Sequence, residues 1–303
     1  MSGRGVVSRR RLLGAGIGAA ALVGAGAGGL ELVVRGVLPG KQVLDRLDGA
    51  CSVPAPPLDF AAAGPALSGT FYSAARRRRV GYTIAYPPGH RPGSRLPLII
   101  GLHADGGNHA STLGGITPDR MLALRVAGRP LPPMAYAAAD GGGGYWNPHP
   151  RDDPMGMVLD ELIPMCRRMG LGVPPLPIGT LGISMGGYGA ILLAEKRPGL
   201  VRAVAAISPA IWTSYPQARA VNPAAYASAA AFRSADAVTH AAELAEVAVR
   251  VASGLDDPFR PGVQALARAL PPGAVVDIAK GCHSGPFFLA QVPPSLAFLG
   301  AHL

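Results

Sequence analysis

The chain has 303 residues, 49% hydrophobic and only 15% charged, with a formal net charge of +10 at pH 7. That length suits one large domain or two small ones, and the balance of apolar and charged residues excludes a disordered chain. Cys51, Cys166 and Cys282, with no CxxC pair and no His/Cys cluster at zinc spacing, make neither a metal set nor a disulfide framework.

Residues 1–38 carry Arg4, Arg9, Arg10, Arg11 and Arg35 against Glu31, so part of the positive charge is local. Ser8-Arg9-Arg10-Arg11-Leu12-Leu13 precedes a Gly/Ala-rich apolar run to Gly29 and resembles a bacterial twin-arginine (Tat) export signal. So many glycines make a poor transmembrane helix. The apolar run resumes over Leu30–Leu38, however, which leaves a retained N-terminal membrane tether as the alternative. The expected location is therefore extracellular or in the cell envelope, with membrane association through the tether. An exported chain could pair Cys51 with Cys282 and leave Cys166 reduced. Residues 39–66, with Pro54, Pro56 and Pro57, read as a linker or strap, and 67–303 as the main domain.

Gly69–Ala74 and Val80–Tyr86 read as a strand pair, with Arg76-Arg77-Arg78-Arg79 in a solvated turn between them. Leu96–His103 is a continuous apolar run, as expected of a strand buried on both faces. A helix is predicted around Asp119–Val126, a strand at Met134–Ala139, and a helix over Met155–Met169. Leu176–Ile183 leads into Ser184 and an Ala/Leu-rich helix. Strands at Val201–Ile207, Glu246–Ser253 and Ala274–Ile278 follow. Repeated β-then-α units predict an α/β fold with a mostly parallel central sheet and helices on both faces. Residues 209–244, rich in Ala with Trp212, Tyr215, Tyr226 and Phe232, break that rhythm and read as a helical, lid-like insertion over the carboxyl edge of the sheet.

The chemistry centres on Gly182-Ile183-Ser184-Met185-Gly186, a G-x-S-x-G sequence between a strand and a helix, the layout of a nucleophile elbow. With 42 glycines the letters alone carry little; the strand before them and the helix after them carry the argument. A serine hydroxyl needs a histidine base oriented by a carboxylate, here expected in the order Ser, Asp or Glu, His. His283 follows the last strand in Lys280-Gly-Cys-His283-Ser, where sites collect on open α/β sheets. His302, near the chain end, is not favoured. The acid lies in Gly254-Leu-Asp256-Asp257-Pro258, with Asp257 preferred over Asp256 because Pro258 fixes the backbone behind it. One oxyanion donor should be the backbone N–H of Met185, and the other that of Asp105 or Ala104 in the loop after the Leu96–His103 strand. His103 precedes Ser184 in the wrong order for a base and reads as a buttress of that loop. Asp152 and Asp153, near His149, match no metal spacing and read as helix caps. Trp146 and Trp212 are candidates for lining a substrate pocket.

Gly182–Tyr188, Gly254–Phe259, His283 and the Asp-Glu-Leu-Ile-Pro stretch at Asp160–Pro164 together resemble the putative-esterase family of α/β hydrolases, which includes esterase D, feruloyl esterases and mycolyltransferases. The resemblance spans about residues 67–303. It implies an α/β-hydrolase fold, a Ser184–Asp257–His283 triad, an oxyanion hole from Met185 and the Ala104/Asp105 loop, and no metal or cofactor. Where many members have His-Gly or Asp-Gly, this chain has His103-Ala104-Asp105-Gly106, which leaves the second donor open. The expected activity is an exported serine carboxylesterase acting on a small-molecule or lipid ester, with no nucleic-acid partner. Acyl transfer to an envelope sugar or lipid would share the same acyl-enzyme. An inactive envelope-binding protein on a hydrolase scaffold is the reading from another class.

Overall fold

The computed structural model describes Asp45 and residues 48–303. The export-signal or tether reading for residues 1–38 lies outside the described residues. The chain divides into Met1–Ser52 and Val53–Leu303. Within the first unit the amide of Cys51 donates to the carbonyl of Asp45 at 3.1 Å.

In the second unit the strands, in chain order, are β1 (Asp59–Phe60), β2 (Ala66–Ser73), β3 (Arg78–Ala85), β4 (Leu98–Leu102), β5 (Leu124–Val126), β6 (Arg129–Pro130), β7 (Ala135–Ala139), β8 (Ile178–Ile183), β9 (Val201–Ile207), β10 (Ala248–Gly254) and β11 (Val275–Ala279). An eight-stranded sheet has the order β11-β10-β9-β8-β4-β7-β3-β2, and β1, β5 and β6 form a small antiparallel sheet. From β7 to β11 neighbouring strands of the large sheet are parallel, while β3 and β2 add an antiparallel hairpin at one edge. This is the α/β-hydrolase fold.

The helices are α1 (Pro118–Leu122), α2 (Pro154–Gly156), α3 (Ile163–Arg168), α4 (Met185–Lys196), α5 (Tyr215–Val221), α6 (Ala229–Ser234), α7 (Arg260–Ala269) and α8 (Gly285–His302). Alternation along the strands builds two cores. Leu98, Ile100 and Leu102 of β4 face one layer with Ile191, Leu193 and Leu266, whereas Ile99, Leu181 and Ile183 face the other with Val292, Leu296 and Leu299 of α8. Strands buried on both faces need not alternate polar and apolar residues, which is why β4 reads as an unbroken apolar run.

Three local departures from the sequence reading have identifiable causes. The predicted helix over Asp119–Val126 stops at Leu122, because Leu124–Val126 instead pairs with β1 and β6. The Met155–Met169 helix is α2 and α3 joined by a π-helical segment, Met157–Leu162, in which the Ile163 amide donates to Val158. Pro164 cannot donate to residue 160 and its ring would crowd that carbonyl, so the wider spacing relieves a clash. The arginine run is not a solvated turn throughout: Arg78 and Arg79 begin β3, and Arg76 is buried. Arg76 makes a two-pronged ion pair with Asp152, its Nε and Nη2 donating to Oδ1 at 2.7 Å and Oδ2 at 2.9 Å. It also donates to the carbonyl of Asp140. Asp153 does cap a helix, its carboxylate accepting from the Gly156 amide at 2.8 Å.

Residues 209–244 hold α5, α6 and a 3-10 turn, Ala241–Leu244. Ser214 and Ser228 cap α5 and α6 by accepting from the amides of Gln217 and Ala231. The underside of this insertion is tied down: the Tyr188 hydroxyl of α4 donates to the Ala235 carbonyl at 2.5 Å, and the Asn147 amide to Ala225 at 3.2 Å. Cys282 is disulfide-bonded, and Cys166 in α3 is free and buried, with its thiol pushed up to about 12 by desolvation.

Candidate active site

The parallel strands deliver their following residues to one edge, so Ser184 after β8, Asp257 after β10 and His283 after β11 can meet there although 99 residues separate Ser184 from His283. They do meet. The Ser184 hydroxyl donates to His283 Nε2 at 2.8 Å, and His283 Nδ1–H donates to Asp257 Oδ2 at 2.9 Å. The second oxygen of Asp257 accepts the Phe259 amide at 2.8 Å. The Asp257 side chain is wholly buried and that of His283 is 21% exposed, so the acid is shielded while the base can reach a substrate.

Ser184 sits at φ 58°, ψ −122°, a strained conformation for a residue with a side chain. Its neighbours explain how the strain is held. The Ser184 amide donates to Ile207 at 2.9 Å, and its carbonyl accepts from Tyr188 and Ala210, both at 3.0 Å. A Cβ on Gly182 would overlap the Gly186 carbonyl, and one on Gly186 would overlap the Leu102 carbonyl. Only glycine lets the three segments close around the serine. The Met185 amide opens α4, where a first-turn N–H has no intrahelical acceptor and faces the end of the helix dipole that favours negative charge.

His103 is fully committed elsewhere. Its Nδ1–H donates to the Ala104 carbonyl at 2.8 Å, and its Nε2 accepts the Gly141 amide at 2.8 Å. Burial lowers its pKa, outweighing its bond to the Ala104 carbonyl, so it serves as a neutral clamp between the loops after β4 and β7. Ala104 and Asp105 line a cleft of about 470 Å³ with Asn108, Ser111, Ile183 and Phe288. A second cleft of about 380 Å³ is lined by Trp212, Val221 and Phe259. Each cleft is lined by a ring that packs on His283: Phe259 at 5.1 Å and Phe288 at 5.0 Å, centroid to centroid.

Of the two tryptophans expected at a pocket, the structure puts Trp212 in a cleft wall and withdraws Trp146. Trp146 has no exposed surface; its indole N–H donates to the His103 carbonyl at 3.3 Å, and Gly141 and Gly189 leave room for the ring. It shapes the site through His103 rather than by touching a ligand. His302 is exposed, with its Nδ1 bonded to the Phe298 carbonyl, and of the two adjacent aspartates it is Asp257 that bonds His283. His149, considered with the two aspartates, bonds the Gly144 carbonyl at 2.9 Å. Sequence reasoning missed the pair of rings around His283. The signal was present in Phe259, two residues after Asp257, and in Phe288, one turn into α8.

Residues 157–269 match the family described as "Putative esterase". The chain matches an esterase family. No curated protein matches it. Among solved structures it is similar to a ferulic acid esterase, at 20% identity and TM-score 0.64 over 80% of this chain and 100% of that one. It is also similar to an S-formylglutathione hydrolase from Agrobacterium tumefaciens, at 19% identity and TM-score 0.62 over 82% of this chain and 99% of that one. A third is the feruloyl esterase module from Clostridium thermocellum, at 14% identity and TM-score 0.61 over 83% and 94%. At such identities these likenesses speak for the fold. The esterase family match adds support for a carboxylesterase, an enzyme of the serine hydrolase kind, with a small-molecule ester as substrate.

Proposed function

We propose that this protein is an exported carboxylesterase that cleaves esters through an acyl-serine intermediate, with its catalytic domain in residues 67–303. The observation that carries the reading is the continuous relay from the Ser184 hydroxyl through His283 to the buried Asp257. Ser184 Oγ attacks the ester carbonyl as His283 Nε2 takes its proton, and Asp257 orients the imidazole and stabilises the imidazolium. The tetrahedral oxyanion lies against the Met185 amide and one of the Ala104 or Asp105 amides. His283 then protonates the departing alkoxide. Water, activated by the same histidine, attacks the acyl-serine and releases the acid. The chemistry draws on no metal and no cofactor. The disulfide-bonded state of Cys282 supports export, since such bonds persist in oxidising compartments.

The test is labelling and turnover. The protein should bind a fluorophosphonate probe and hydrolyse short p-nitrophenyl esters, and Ser184→Ala should abolish both while the fold, read by circular dichroism, persists. Full turnover by a folded Ser184→Ala variant would end the proposal.

A further inference from the structure

Beyond ester cleavage, we infer that the edge of the sheet carrying Ser184 is a docking face for an anionic lipid bilayer. Six large hydrophobic side chains are exposed among the described residues, and three of them, Tyr72, Val221 and Leu255, belong to this edge. Tyr72 is 63% exposed and Val221 70%, far more than burial against this chain would allow. Val275 and Val276 begin β11 at the opposite edge, and Leu67 lies at the opposite end of β2.

The topology places these residues. β3 is antiparallel to β7, with Tyr82 opposite Ala139, so the β2–β3 turn projects beyond the carboxyl end of β7. Tyr72, near the end of β2, and exposed Arg79, near the start of β3, flank that turn, which itself carries exposed Arg77. It is physically continuous with the site. Arg76 holds the Asp140 carbonyl and Asp152, and the Gly143 carbonyl accepts at 3.2 Å from the side chain of Asn222, the residue after Val221. Val221 in turn shares a cleft wall with Phe259, which packs on His283.

The charge has the matching sign. Arg77, Arg79, Arg151 and Arg219 are exposed along this rim, against Asp105 and Asp256. Arginines interspersed with a tyrosine and aliphatic side chains suit the headgroup region of an anionic membrane, where ring and alkyl groups enter the interface as guanidinium groups meet phosphate. A soluble polyanion would use the arginines and leave Tyr72, Val221 and Leu255 without a role.

The test reads orientation, so that any membrane affinity of residues 1–38 cannot imitate it. In the full-length protein an environment-sensitive fluorophore is attached at Val221→Cys or, separately, at Val275→Cys. Cys166 is buried, with its thiol pushed up to about 12, and should stay unlabelled. With vesicles of equimolar phosphatidylglycerol and phosphatidylcholine the Val221 probe should shift to the blue and the Val275 probe should not. Adding Arg77→Ser and Arg79→Ser should raise the lipid concentration for half the shift roughly thirtyfold. Shifts at neither position, equal shifts at both, indifference to the arginine substitutions, or an equal shift with inorganic polyphosphate and no vesicles would each overturn the inference. None of these readouts requires ester hydrolysis, so they stand or fall apart from the enzymatic reading.

Discussion

Asp257 divides its carboxylate between His283 Nδ1–H at 2.9 Å and the Phe259 amide at 2.8 Å. The second bond matters as much as the first, because it fixes the plane of the carboxylate and thereby the tilt of the imidazole.

Asp257→Asn should therefore lower kcat by about 10⁴-fold, because an amide in this position favours the wrong imidazole tautomer. Asp256→Asn should leave kcat within a few-fold. Steady-state kinetics on a soluble ester separates them, and equal losses would contradict the geometry.

The elbow glycines predict a steric limit. Gly182→Ala and Gly186→Ala each drive a methyl group into backbone rather than into a movable side chain, so both should yield little folded protein. Gly285→Ala meets nothing within 4 Å and should melt within a few degrees of the parent. Thermal denaturation of the three variants checks this.

Arg76 predicts an asymmetry. Replacing it with Ala takes the two-pronged partner from Asp152, which keeps Arg78 at 3.1 Å, and the donor from the Asp140 carbonyl, and should cost about 2 kcal/mol in urea denaturation. Asp152→Asn should cost less, since Arg76 keeps the Asp140 carbonyl and an amide oxygen.

Glu195, near the end of α4, is 5% exposed, and neither of its carboxylate oxygens has a hydrogen-bond partner. Desolvation, helped by Asp236 and Glu243, pushes its pKa up to about 9. The folded state thus holds a proton that the unfolded state has released, so stability is greatest below the unfolded value near 4.5 and is lost as pH rises through about 9. Glu195→Gln should remove this loss, which amounts to roughly 1.4 kcal/mol for each pH unit in that window. The measurement is the difference in melting temperature between variant and parent at pH 5, 7 and 9; a gap that fails to widen would contradict a protonated Glu195.

Strands were legible wherever burial on both faces made them continuously apolar: Val201–Ile207 is recovered with its bounds, and β4, β7 and β8 within a few residues. Errors arose where partners were remote in sequence. Leu124–Val126 looks helical until β1 is available to pair with it. Arg76 looks like one of four solvated arginines until Asp152, 76 residues away, meets it. Trp146 reads equally well as pocket wall or core, because a large ring serves either, and His103 and Gly189 decide for the core.

From sequence alone came the α/β rhythm, the strand–serine–helix elbow, and an aspartate and a histidine following it in order, since each depends on local periodicity and on short-range steric demands. Tertiary structure alone decided that Ser184, His283 and Asp257 stand within hydrogen-bonding distance, that Phe259 and Phe288 pack on the imidazole, and that Tyr72 and Val221 share an edge with the serine. The reason is physical: strand order and direction in a sheet are set by packing among segments far apart in the chain, and no local pattern encodes which loops that packing brings together.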